Sequence, residues 1–198
     1  MPGEPSDLVA LVGSRICHDL ISPLGAIGNG VELLMMSGNG AGPELALIAE
    51  SVTNANARIR FFRLAFGAAA PGQGVARAEV RSILDDMTHG GRLKIDWDLA
   101  GDAARTEVKL AFLAIQCLES ALPFGGRIRV TTEGDLWQIG AEAPRLKLDP
   151  SLWDRLGGDG TAEVTAAQVQ FALLPAELAR QGRSLALRLE DTTIALRY

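Results

Sequence analysis

The sequence predicts an α+β protein: an N-terminal antiparallel helical hairpin forming a four-helix bundle in a dimer, followed by a C-terminal α/β sandwich. Three observations predict it. Apolar residues recur at alternating three- and four-residue intervals along two N-terminal segments joined by a glycine-rich turn. A stretch of small residues, Ala68-Ala69-Ala70-Pro71-Gly72-Gln73-Gly74, then breaks that rhythm and reads as a linker. Beyond it, short alternating segments interleave with helical ones and fall into antiparallel pairs, the pattern of helices on one face of a sheet. The hairpin domain is expected over residues 1–70 and the α/β domain over 75–198.

The first helix starts at Ser6 or Asp7, either of which suits a helix cap, and runs to about Ser37. With Leu20 at zero and about 100° per residue, Ile16, Leu24, Ile27, Val31 and Leu34 lie within roughly 40° of it. Ser37-Gly38-Asn39-Gly40-Ala41-Gly42-Pro43 is the turn, and Pro43 fits the first turn of the second helix. That helix places Leu45, Ile48, Val52, Ala55, Ile59, Phe62 and Phe66 on a heptad seam. One hairpin has little core of its own, so the seam either closes a bundle with a second copy or packs on the rest of the same chain. The bundle, and hence a homodimer, is the expectation carried forward.

The second domain reads as a short helix from Ala78 to Met87, a strand from Lys94 to Leu99 and a long apolar helix from Thr106 to Leu122. Arg127 to Thr132 and Trp137 to Ala143 form a hairpin. Asp149 or Ser151 opens a short helix, and a longer one covers Thr165 to Arg180. Ser184 to Glu190 and Thr193 to Arg197 make a second hairpin around Asp191-Thr192. Trp97, Trp137 and Trp153 fall on separate elements without interleaved basic residues, so they read as core anchors and not as a stacking platform. His89 reads as a residue at the C-terminal end of a helix.

Composition excludes several classes of function. The 198 residues carry a net charge of −5, with no run of lysines or arginines, which argues against nucleic acid as a partner. No apolar stretch approaches the ~20 residues needed to span a bilayer, so no membrane partner is expected. The N-terminus has neither the basic nor the apolar region of a signal peptide, and a cytoplasmic location is expected. Cys17 and Cys117 sit in apolar helical patterns and read as reduced core or boundary residues. No metal site is expected from two cysteines and two histidines without short paired spacing. Gly157-Gly158-Asp159-Gly160 lacks the lysine and Ser/Thr of a phosphate loop and reads as a surface loop.

The chemistry concentrates in Ser14-Arg15-Ile16-Cys17-His18-Asp19-Leu20-Ile21-Ser22-Pro23-Leu24-Gly25-Ala26-Ile27. His18 lies about 160° from the apolar face and is expected in solvent. An exposed imidazole is a nucleophile for phosphorus, and the adjacent Asp19 can orient its other ring proton. Arg15, three residues before His18, is placed to steady phosphate charge or a partner's acidic pocket, or is a plain surface arginine. Ser22, one turn after His18, is placed to touch a docked partner or simply covers helix surface.

Histidine, acid, proline four residues after the acid, then Ala26-Ile27 and Glu32-Leu33-Leu34, resembles the H-box of the dimerisation and phosphotransfer domain of sensor histidine kinases. With the α/β domain, the resemblance covers essentially the whole chain. The second domain departs from a kinase. Gln116 and Ser120 stand where the ATP-binding domain carries asparagines, and Ala141-Glu142-Ala143-Pro144-Arg145 replaces its Asp-x-Gly-x-Gly element. Ala166-Ala167-Gln168-Val169-Gln170-Phe171-Ala172-Leu173-Leu174 replaces the glycine-rich lid, and without glycines the backbone cannot approach a phosphate chain. A kinase-like hairpin on such a domain resembles the ChpT-type histidine phosphotransferases of alphaproteobacteria, whose H-box Arg-x-Cys-His-Asp-Leu-Ile-Ser-Pro is close to the segment here.

That resemblance implies a dimeric relay without a cofactor of its own. His18 would take a phosphoryl group from the aspartate of one response-regulator receiver domain and pass it to another, with magnesium held in the receiver. Asp19 would tune or orient His18, and Arg15 and Ser22 would meet the docked receiver. Two other functions fit the same residues: a divergent histidine kinase, and a non-catalytic dimeric adaptor that sequesters a response regulator.

Overall fold

The computed structural model describes residues 5–37, 42–158, 160 and 163–198, the side chains of 5–7 and 37 excepted. Helix α1 spans Pro5–Ser37 and α2 spans Pro43–Ala65, with Pro43 in the first turn as expected. Because α1 is already helical from Pro5, Ser6 and Asp7 lie within the helix and not ahead of it. The centre of the glycine-rich turn, residues 38–41, lies outside the described residues.

The two helices pack closely where α1 is small or unbranched. Pro23 and Gly30 are buried against α2. A Cβ on Gly30 would sit 2.6 Å from Cγ1 of Ile48, so glycine lets the two helices meet here without displacing that side chain. The packing leaves much of the expected seam uncovered. Leu24 and Val31 on α1, and Leu45, Val52 and Ile59 on α2, are exposed. By length and composition alone, Leu8–Met36 is apolar enough to cross a membrane, against the expectation from the sequence. The reason is the uncharged run between Asp19 and Glu32, which Ser22, Pro23, Asn29 and three glycines had made look broken.

The C-terminal part is a five-stranded sheet with helices packed on it. Strands β2 (Leu93–Trp97), β4 (Gly126–Glu133), β5 (Leu136–Glu142), β6 (Ala186–Leu189) and β7 (Thr193–Arg197) pair in the order β2-β4-β5-β7-β6. Among the described strand pairs only β2 and β4 run parallel, joined across α4 (Arg105–Ser120); both expected hairpins, β4–β5 and β6–β7, form. A two-residue pairing of β1 (Gly74–Val75) with β3 (Ala103–Ala104) was not foreseen, because two residues are too few to show alternation. Gly74, read as linker, belongs to it.

Helices α3 (Arg77–Thr88), α5 (Pro150–Gly157) and α6 (Gln170–Arg180) complete the fold. Of the two expected caps for α5, Asp149 acts: its Oδ1 accepts from the Ser151 N–H at 3.2 Å. The helix expected over Thr165 to Arg180 is divided. Thr165 caps a 3-10 turn, Ala166–Gln168, and α6 follows. All three tryptophans are buried, as is Cys117; Cys17, read as a core or boundary residue, is exposed on α1.

One hydrophobic core runs through the join between the two parts. Phe61, Phe62, Leu64 and Ala65 of α2 belong to the same buried cluster as α4 and the sheet. The Phe61 and Phe112 rings lie 4.5 Å apart. Two cations of α4 grip the end of the hairpin: Arg105 Nη2 donates to the Arg63 carbonyl at 2.7 Å, and Lys109 Nζ to the Gly67 carbonyl at 3.2 Å. The hairpin is therefore fixed on the C-terminal part by packing as well as by the chain.

Lys109 also faces Glu177 of α6 at 3.5 Å. Burial pushes the Glu177 carboxyl up, but hydrogen bonds from Arg180 and Gln181 and the charge of Lys109 together outweigh it and hold it below the usual range. The folded state thus gives up this proton more readily than the unfolded chain. Its contribution is present above the ordinary glutamate range and is lost as pH falls through the lowered value. Melting temperatures measured between about pH 3 and pH 7 should show Glu177→Gln with a flatter acid limb than the wild type.

Candidate functional site

Two neighbouring positions on α1 have opposite surroundings. The His18 side chain is 79% exposed, as the helical phase predicts, while that of Asp19 is 9% exposed. The Asp19 Oδ1 lies 3.1 Å from His18 Nδ1. A carboxylate acceptor at that distance favours the tautomer with its proton on Nδ1, which leaves Nε2 with a free lone pair facing solvent. Pro23 supplies no N–H, so the carbonyl of Asp19 receives no helical bond from it, and the turn carrying the pair is less constrained than the rest of α1.

The other Asp19 oxygen, Oδ2, accepts from Arg15 Nε at 2.9 Å and lies 3.7 Å from Arg58 Nη1 on α2. Arg58 is itself oriented by donating from Nε to Asn54 Oδ1 at 3.1 Å. Arg15, expected beside the exposed imidazole, is instead turned inward. Its side chain is 16% exposed, and its Nη1 donates to the Ala167 carbonyl in the 3-10 turn. The i,i+4 attraction of Asp19 explains the difference, because it draws the guanidinium away from the His18 side of the helix.

Ser22 is exposed and lines a groove of about 430 Å³ between α1 and α2, together with His18, Pro23, Leu47, Glu50 and Ser51. The structure thus brings His18, Asp19 and Ser22 to one surface and places Arg15 behind it. Sequence reading missed Arg58 and Asn54. Their signal was the polar stretch Thr53-Asn54-Ala55-Asn56-Ala57-Arg58 interrupting the heptad rhythm of α2. It also missed Glu119 on α4, whose carboxyl burial pushes above the usual range, with Arg58 and Arg15 pulling it back and Asp19 adding to the rise.

The positions that depart from a kinase have their own structural work. Gln116 is buried in α4, and Ser120 Oγ donates to the carbonyl of Cys117 at 2.6 Å. The Ala143 N–H donates to the Thr192 carbonyl at 3.0 Å. The segment standing for the lid forms the 3-10 turn and α6, with Phe171 buried edge-on to Trp153 at 5.4 Å.

Residues 77–193 match the family model for the histidine phosphotransferase C-terminal domain. The chain is 34% identical over 194 residues to the protein phosphotransferase ChpT of Brucella abortus (strain 2308), covering 93% of this chain and 92% of that one. The 1.7 Å structure of a bacterial phosphotransferase superposes with a TM-score of 0.80 at 28% identity, over 100% of this chain and 98% of that one. A histidine kinase domain from Erythrobacter litoralis EL346 aligns at a TM-score of 0.45 and 12% identity, over 97% of this chain and 91% of that one. The family model matches the C-terminal sheet domain, and the identity to ChpT runs over nearly the whole chain: the chain belongs to the ChpT-type histidine phosphotransferases, phosphorelay proteins that work with other signalling proteins.

Proposed function

We propose that His18 is the phosphoacceptor of a relay that takes its phosphoryl group from a receiver-domain aspartate, passes it to a second response regulator and uses no ATP. The observation that carries this reading is the exposed imidazole whose Nδ1 faces a fixed carboxylate, leaving Nε2 free to attack. In the step, the Nε2 lone pair forms a bond to phosphorus, the P–O bond to the receiver's aspartyl group breaks, and the aspartate leaves as carboxylate. The imidazolium charge that results is offset by Asp19. Phosphohistidine and acyl phosphate are both high-energy, so the same step runs in reverse toward the second receiver. Magnesium would be held by the receiver and would offset phosphoryl charge there; this chain's share is to orient the imidazole and hold it in line. Ser22 and the groove beside it are the surface on which we expect the receiver to rest. The reading carries a cytoplasmic location, where receiver domains are found.

The lack of glycine in residues 166–174 and the buried Gln116 support the ATP-independent reading. The exposed line of Leu24 and Val31 beside Leu45, Val52 and Ile59 supports a homodimer, because each set repeats every seven residues along one face. That face explains the apolar character of α1 without a membrane. Incubation with an aspartyl-phosphorylated receiver and magnesium should place an acid-labile phosphate on this protein, and addition of a second receiver should remove it. Light scattering without detergent should give the mass of two chains. A protein that takes no phosphate from its regulators, yet binds them, would be an adaptor.

A further inference from the structure

Asp19 is held from both sides of the hairpin and, through Arg15, from the C-terminal domain. We propose that Arg15 and Arg58 are positioning residues that hold Oδ2 of Asp19 so that Oδ1 is aimed at His18 Nδ1, and that the C-terminal domain sets this alignment through its grip on Arg15. The inference rests on His18 as phosphoacceptor and assigns roles beyond that reading.

A carboxylate on a helix surface rotates freely and presents either oxygen. Here two guanidiniums from two helices occupy the same oxygen, Oδ2, at 2.9 Å and 3.7 Å. Oδ1 is left for the imidazole at 3.1 Å. The charges matter as much as the geometry. A carboxylate so little exposed, with no cation beside it, would favour the imidazolium, which has no lone pair with which to attack phosphorus. Arg15 on α1 and Arg58 on α2 offset Asp19, with Glu119 on α4 set against them and Glu50 of α2 lining the groove. Asp19 can then orient His18 while its own charge is offset from both helices.

The anchor on the C-terminal domain is itself built. The Ala167 carbonyl that receives Arg15 Nη1 also accepts from Gln170 Nε2 at 3.2 Å. The turn that carries it is closed by Thr165, whose N–H and Oγ1 both reach Gln168 Oε1, at 3.2 Å and 3.0 Å. A domain read as no longer binding nucleotide thus keeps a part in the chemistry. Its turn fixes Arg15, Arg15 fixes Asp19, and Asp19 fixes the imidazole.

The test measures phosphoryl uptake from a phosphorylated receiver by the full-length protein, for wild type, Arg15→Met and Arg58→Met, each also in an Asp19→Asn background. Each single arginine variant should lose about 10-fold in maximal rate, the scale of a misaligned reacting group, with the half-saturating receiver concentration unchanged. The rising limb of the pH–rate profile should move to higher pH in both. In the Asp19→Asn background the arginine substitutions should have no further effect, because they act through Asp19. Melting curves accompany each variant, and Arg58→Lys, which keeps the charge, should restore the pH limb even if unfolding of Arg58→Met obscures its rate.

Wild-type rates and pH profiles in both arginine variants would overturn the inference alone. So would losses that persist undiminished beside Asp19→Asn, or a rise only in the receiver concentration required, which would make the arginines docking contacts. A wild-type protein that takes no phosphate from any receiver would instead remove the phosphoacceptor reading, and this inference with it.

Discussion

Replacing His18 with alanine should abolish phosphoryl uptake, by about a thousandfold or more, while leaving the fold intact. The size follows from the loss of the nucleophile itself, for which no neighbour substitutes. Cys17 is exposed next to it, but a thiol there has no partner carboxylate among the described residues comparable to Asp19. The fold survives because the imidazole is 79% exposed and touches little, and surface substitutions of this kind change stability by about 0.5 kcal/mol or less. The check is phosphate transfer and a melting curve on the same preparation. A His18→Ala protein that still takes up acid-labile phosphate would move the acceptor elsewhere.

The largest effect on stability is expected from Phe61→Ala. Phe61 is fully buried and packs its ring on Phe112, which in turn meets Trp97 edge-on at 6.2 Å. Removing a buried phenylalanine costs about 3–5 kcal/mol, from lost apolar burial and the cavity left behind. In a chain of this size that lowers the melting temperature by roughly 10 °C. The site adds a functional signature. Phe61 seats α2 on α4, so the cavity should loosen the hairpin against the domain whose Ala167 holds Arg15. Transfer rates should therefore fall at temperatures well below the melt. A loss of stability with transfer unchanged would show that the two parts act independently.

Much of the fold was legible because periodicity reports on the local backbone. The two hairpin helices, both strand pairs and the exposure of His18 follow from spacing alone. What the sequence could not show depends on which element each side chain meets. Phe62 continues the heptad rhythm of α2 and reads as seam, yet it is buried in the C-terminal core, because helix phase says which face is apolar and not what covers it. Arg15 shares a face with His18 on a helical wheel, but Asp19 one turn ahead draws its guanidinium inward. Arg58 and Glu119 come to the site from α2 and α4, and no local pattern ties either to a motif forty or a hundred residues away. Residues 166–168 leave the α-helix for a 3-10 turn because Thr165 and Gln168 satisfy the first backbone donors with side chains, a choice that apolar spacing does not record.

If this chain relays a phosphoryl group through His18 and makes none of its own, the wild-type protein offered two labelled donors in parallel, magnesium present in both, should distinguish them: a receiver phosphorylated on aspartate, and ATP alone. Label should reach the protein from the receiver and not from ATP. Label arriving from ATP would contradict the relay and make the protein a divergent histidine kinase.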